Sequence, residues 1–207
     1  MKKILYLIAL LTSSTVAQAA SGIYGGYFTI NGTKYKAAES YGGSETVFSG
    51  FDFGDFTAGS STLVLSQAET LAFRDNSSSV FAFAYAYRVR LAALSKSTNP
   101  GNYTFLDLGN GVSIGGNNEK GEITGQSEDF VNALPSGDYA IDVVHKVGAN
   151  DGGGNFEWLA STASASPGVT NWGSTNAFTA TFTVIPEPSS AVLLGLGALA
   201  LIFRRRK

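Results

Sequence analysis

The chain has 207 residues, 25 glycines, 12% aromatic residues, no cysteine and a single histidine. That is the length of one domain, large enough to bury a core without disulfides. The missing thiols exclude thiol catalysis, thiolate zinc sites and iron–sulfur clusters, and one imidazole excludes sites built from several. Lys2, Lys3, Arg204, Arg205, Arg206 and Lys207 hold six of the 14 basic residues, so residues 20–186 keep eight basic against fifteen acidic groups, a net charge of −7. An acidic domain of this kind repels phosphate backbones, so no nucleic-acid partner is expected.

The first residues read in the order of a secretory signal peptide. Two lysines precede an apolar run over 4–11, and small residues follow, with Ala17 and Ala19 framing an A-x-A cleavage site. Residues 1–19 are therefore expected to form a signal helix removed after Ala19, and export would use the Sec translocon.

Downstream, the apolar pattern has a period of two. Residues 27–30 and 33–36 flank Asn31-Gly32, a two-residue hairpin signal because both turn positions need positive φ. Short strands are predicted over 62–66, 70–74, 102–108, 112–114 and 155–160. Over 80–91, Phe81, Phe83, Tyr85, Tyr87, Val89 and Leu91 alternate with alanines and then Arg88 and Arg90. No helix presents that as one face, and the two arginines are expected to turn that end toward water. Over 138–147, Tyr139, Ile141, Val143, His145 and Val147 share a face, and Asp138, Asp142 and Lys146 are expected to be wet on the other. A last strand over 177–184 points Phe178, Ala180, Phe182 and Val184 inward, with threonines between them. About ten short strands and no long amphipathic helix predict an all-β fold, an antiparallel β-sandwich or jelly roll over 20–183.

Catalytic constellations are weakly written. His145 sits on an apolar face with no G-x-S-x-G elbow anywhere, which predicts a packed structural residue rather than a catalytic base. Glu119, Glu122, Glu128 and Asp129 cluster over 117–130 as candidates for a glycosidase pair. Asp138 and Asp142 are about 13 Å apart along a strand, too far for a retaining pair. Asn150, Asp151 and Asn155 offer hard oxygens on a glycine-rich loop, a weak calcium candidate without the register or distal glutamate of a known loop. Trp158 alternates with Phe156 and reads as core, whereas Trp172 lies in a polar stretch and is the candidate for stacking on a sugar. No catalytic or cofactor-binding residue is assigned.

The most informative stretch is 184–207, VIPEPSSAVLLGLGALALIFRRRK. Pro186, Glu187 and Pro188 come first, and each proline removes a donor and disfavours helix before it. An apolar run over 191–203 follows, about 20 Å of helix, short for a bilayer core of about 30 Å. Two serines extend it to a membrane helix over 189–203. Arg204, Arg205, Arg206 and Lys207 then form a basic stop-transfer block that keeps the C-terminus cytoplasmic. In order and position the stretch closely resembles the PEP-CTERM sorting signal of Gram-negative bacteria. That resemblance implies a substrate of an exosortase, held transiently in the inner membrane, cut near the triplet and passed to the cell surface or exterior. It also implies an association with exopolysaccharide and biofilm matrix. The expectation is thus a non-enzymatic exported surface protein, structural or adhesive. A carbohydrate-binding module, with or without calcium, is the alternative, and a glycan hydrolase the third reading.

Overall fold

A run of fourteen residues from Gly137 to Asn150 forms the longest strand among the described residues. In a computed structural model, residues 21–38, 42–74, 79–97, 100–150, 156–161 and 177–187 are described. They contain β1 (Ser21–Ile30), β2 (Thr33–Lys36), β3 (Thr46–Val47), β4 (Asp52–Thr57), β5 (Val64–Arg74), β6 (Ser79–Leu91), β7 (Thr104–Gly109), β8 (Val112–Gly115), β9 (Asn118–Asp129), β10 (Gly137–Asn150), β11 (Phe156–Ser161) and β12 (Phe178–Ile185). One short 3-10 turn, Pro100–Asn102, precedes β7. The expected signal helix and membrane helix lie outside the described residues.

The strands form a sandwich of two sheets. The first runs β3-β2-β1-β5-β9-β8 and the second β4-β12-β10-β6-β7. Strand β10 is the spine of the second sheet. Along one edge it pairs with β6 from Tyr139 to Asn150, and along the other with β12 up to Val143 and β11 from His145 onward. Pairing is antiparallel except at β2–β3 and β4–β12, which are parallel. A parallel neighbour needs a crossover rather than a hairpin. The crossover between β3 and β4 runs from the first sheet to the second and ties the two together. Phe48 N–H donates to the Lys36 carbonyl on the first sheet, and Gly50 N–H donates to the Thr179 carbonyl on the second.

The Asn31-Gly32 hairpin forms as expected, with φ of 48° and 77°. Its asparagine also joins β5: Asn31 Nδ2 donates to the Thr62 carbonyl, and Asn31 Oδ1 accepts from Val64 N–H.

Between the sheets, Phe28, Phe83, Tyr85, Ile141, Phe178, Phe182 and Val184 are buried. Each fully buried side chain of this size contributes about 1.5–3 kcal/mol. The crossover adds an aromatic cluster at one side. Phe28 and Phe48 meet edge to face at 4.6 Å between centroids, and Phe51 and Phe53 do so at 4.9 Å. Tyr35 closes on both Phe51 and Phe53 edge-on, with interplanar angles of 61° and 66°, an arrangement that aromatic quadrupoles favour.

The outer face of the second sheet departs from expectation. Arg90, Asp142 and Lys146 are buried there rather than wet, with Asp142 at 0% exposure. The segment following β6 folds back over this face. Tyr103 packs with Ala86, Val144 and Ala177 in a second apolar cluster, and Lys96 Nζ donates to the Ala177 carbonyl. Beneath it Arg90 grips Asp142 bidentately, Nε to Oδ2 at 2.7 Å and Nη2 to Oδ1 at 3.1 Å. Thr179 Oγ1 donates to Oδ1 from the other side at 2.7 Å. Arg90 Nη1 donates to the carbonyls of Leu91, Ala92 and Leu94, which anchors the covering segment. Alternation correctly placed these residues on one face. The face is buried because a remote piece of chain lies on it.

Strand β9, which is not among the strands predicted from the sequence, runs from Asn118 to Asp129 and pairs with β5 at nine positions, with a register shift before Glu128. Its inward positions are Glu119, Gly121 and Ile123, too polar and too small to read as an apolar face. Gly121 is required there, since a Cβ would sit 2.2 Å from Phe83 Cβ.

Removing one member of the buried pair leaves an uncompensated charge. Arg90→Met is expected to lower unfolding free energy in urea by about 3–5 kcal/mol. The double variant Arg90→Met/Asp142→Leu is expected to recover most of that loss, measured on the same chain.

Candidate functional site

The sorting stretch begins inside the sandwich. Strand β12 alternates Phe178, Ala180, Phe182 and Val184 inward with Thr179, Thr181, Thr183 and Ile185 outward. It lies between β10 and β4, so both of its backbone edges are used. Val184 is opposite Gly137 on one side and Phe56 on the other, and Ile185 is opposite Thr57. The last backbone bond runs from Ala58 N–H to the Ile185 carbonyl at 2.9 Å. Pro186 is the next residue, so the chain leaves the sheet where its next donor is missing. Ile185, Pro186 and Glu187 are exposed. Pro188, the predicted membrane helix and Arg204, Arg205, Arg206 and Lys207 lie outside the described residues, as do Ala17 and Ala19. Among the described residues no helix is long and apolar enough to cross a membrane.

The carboxylates proposed as glycosidase candidates are engaged in structural contacts. Glu119 faces inward near the start of β9 and pairs with Arg74 at 3.2 Å. Glu122 lies on the opposite face of β9, where it binds Lys120 at 2.6 Å and accepts a hydrogen bond from Gln67. The Lys120 contact is the main reason its carboxyl is held below the usual range. Opposite faces of one strand present no common substrate to Glu119 and Glu122. Glu128 accepts from Tyr87 Oη at 2.9 Å. Burial first, and this carboxylate second, push the Tyr87 hydroxyl up to about 12. Asp129 Oδ1 accepts from the backbone N–H groups of Leu63 and Val131, which closes the turn after β9. Asp138 is exposed and accepts from Thr183 Oγ1.

His145 is packed between the sheets at 0% exposure, as expected from its strand face. Its ring stacks on Phe28, meets Tyr85 at a steep angle and touches Phe178. Nδ1 lies 2.9 Å from Thr70 Oγ1 on β5, a polar contact that joins the two sheets through the core. Gly26 on β1 makes room for the ring, since a Cβ there would lie 2.4 Å from His145 Nε2. Neither Nε2 nor the Tyr85 hydroxyl has a hydrogen-bond partner among the described residues. Burial pushes the imidazole down to about 3, so it is neutral near pH 7.

Asn150 ends β10, and Asp151 and Asn155 lie outside the described residues. Among the described residues no group of three or more His, Cys, Asp or Glu side chains is placed to hold a metal ion. Trp172 lies outside them. Position 158 of β11 is opposite Gly148 in the register.

Against known families, residues 184–207 match the model of the PEP-CTERM protein-sorting motif. The chain therefore carries that motif in the stretch that begins with the last two residues of β12. The residues before it match no family, and no curated protein matches the chain.

The buried imidazole sets a pH dependence. Its stabilising contribution is complete above about pH 6.5, the unfolded value, and declines as pH falls toward the folded value of about 3. Between pH 6.5 and roughly 4.5, above most carboxylate titration, stability is expected to fall by up to about 1.4 kcal/mol per pH unit. Urea titrations at several pH values measure that slope, and His145→Gln is expected to flatten it.

Proposed function

We propose that this protein is an exported surface or matrix component, delivered through the Sec translocon, held briefly in the inner membrane by its C-terminal segment and released by an exosortase. The observation that carries the reading is the PEP-CTERM motif at 184–207, attached to an all-β domain. Its role at the surface is structural or adhesive, within exopolysaccharide or biofilm matrix, rather than catalytic. Support for that role comes from how the polar groups are used. Arg90–Asp142, Arg74–Glu119 and Lys120–Glu122 are paired, Asp129 caps a turn, and His145 is sealed in the core. These contacts stiffen the sandwich. A rigid, acidic sandwich fits a matrix component, which must persist outside the cell.

The apolar segment suits a temporary anchor. As a helix its thirteen apolar residues would span about 20 Å, less than a bilayer core of about 30 Å, and the basic block after it could reach the headgroups.

The test uses the full chain in a bacterium that has the processing enzyme. The wild type is expected at the surface or in the medium, with an intact mass lacking the signal peptide and the tail. Replacing Pro186, Glu187 and Pro188 by alanine is expected to leave it in the inner-membrane fraction with the tail attached. Surface delivery of that variant at the wild-type level contradicts the reading. For the matrix role, the released protein should co-fractionate with exopolysaccharide and lose that association in a polysaccharide-free strain.

A further inference from the structure

We propose that the turn formed by residues 57–61 belongs to the processing site: the enzyme that cuts this chain reads Pro186 and Glu187 together with that turn, as one folded surface. The proposal rests on the reading of the tail as a processed sorting signal and concerns how that signal is recognised.

The first observation is the lack of a spacer. A protease that takes its substrate as an added strand uses the backbone donors and acceptors on both sides of the cut. Residues 178–184 pair with β10 and residues 181–185 with β4, and the Ile185 carbonyl is held by Ala58 N–H. Freeing them for an enzyme would draw Phe182 and Val184 out of the core. The residues before Pro186 are therefore presented as part of a sheet end rather than as a linear peptide.

The second observation is that the neighbouring turn is held by its own hydrogen bonds and lies against Glu187. Thr57 N–H donates to Ser61 Oγ at 3.0 Å, and the N–H groups of Ser60 and Ser61 return to the Thr57 carbonyl at 3.2 and 3.0 Å. Gly59 takes φ of 75°, which favours glycine. The Glu187 carboxylate lies directly over it, since a Cβ at Gly59 would be 3.1 Å from Oε1. Any side chain at 59 would both strain the turn and crowd the glutamate. Exposed Ile185 and Pro186 complete a small surface with an apolar part and one carboxylate. The partner it fits is a membrane-embedded protease that offers an apolar ledge and a cationic or N–H-rich pocket just outside the bilayer.

Inserting about six Gly/Ser residues between Ile185 and Pro186 separates the two halves of this surface by up to about 20 Å and leaves β12 intact. In cells that process the wild type, this insertion is expected to slow tail removal about tenfold without changing the thermal midpoint of the released domain. Ser60→Trp, at an exposed position of the turn, is expected to slow it in the same direction. Processing of the insertion variant at the wild-type rate or faster overturns the proposal. An alanine triplet at 186–188 serves as the separate arm. If it is processed normally, the sorting reading itself fails; if it blocks processing while the insertion does not, only the composite surface is lost.

Discussion

Strand β10 is paired along both edges and buried on both faces, and the rest of the protein is arranged to satisfy it. Two of its polar side chains, His145 and Asp142, are at 0% exposure, one on each face. On the inner face His145 meets Thr70 across the sandwich, and Gly26 yields the space its ring occupies. On the outer face Asp142 is held by Arg90 and Thr179 from the two flanking strands. An orphaned buried polar group costs about 1–3 kcal/mol, and a charged one more. The order β12-β10-β6 is thereby fixed by chemistry as well as by backbone pairing. Arg90 extends the constraint further, because its remaining donors bind the chain that covers the outer face.

The acidic groups look like a reservoir of chemistry in the sequence and behave as structural fasteners in the fold. Glu119 and Glu122 are three residues apart on a strand, which sends them to opposite faces. Each finds its own cation. Asp129 organises a turn through two backbone donors. This distribution is what the proposed matrix role would call for.

The domain and its sorting signal are continuous. Strand β12 is an interior strand of the second sheet, and the residue after its last backbone bond is the first proline of the triplet. A chain leaving a sheet in this way carries tertiary context with it, because the parallel neighbour β4 turns back beside the exit point. The parallel pairing is what puts residues 57–61 there; an antiparallel hairpin partner would have brought its connecting loop instead.

Much of this was legible in the residues. The Asn31-Gly32 turn needs two positive φ angles, and the sequence supplies residues that tolerate them. The alternation through Phe83, Tyr85 and Tyr87, through Ile141, Val143 and His145, and through Phe178, Phe182 and Val184 assigns each residue to a face, because strand geometry has a fixed period of two. The sorting tail is read in linear order, so sequence suffices for it. What only the tertiary structure decided is what covers each face and which strands are neighbours. Asp142, Lys146 and Arg90 were on the face their periodicity gave them, yet that face is buried, because residues after β6 fold over it. Strand β9 is not legible in the sequence because Glu119 and Gly121 are inward positions defined by Arg74 and Phe83, which lie far away along the chain. Local sequence encodes direction; partners across space determine burial, and with it the state of every charge.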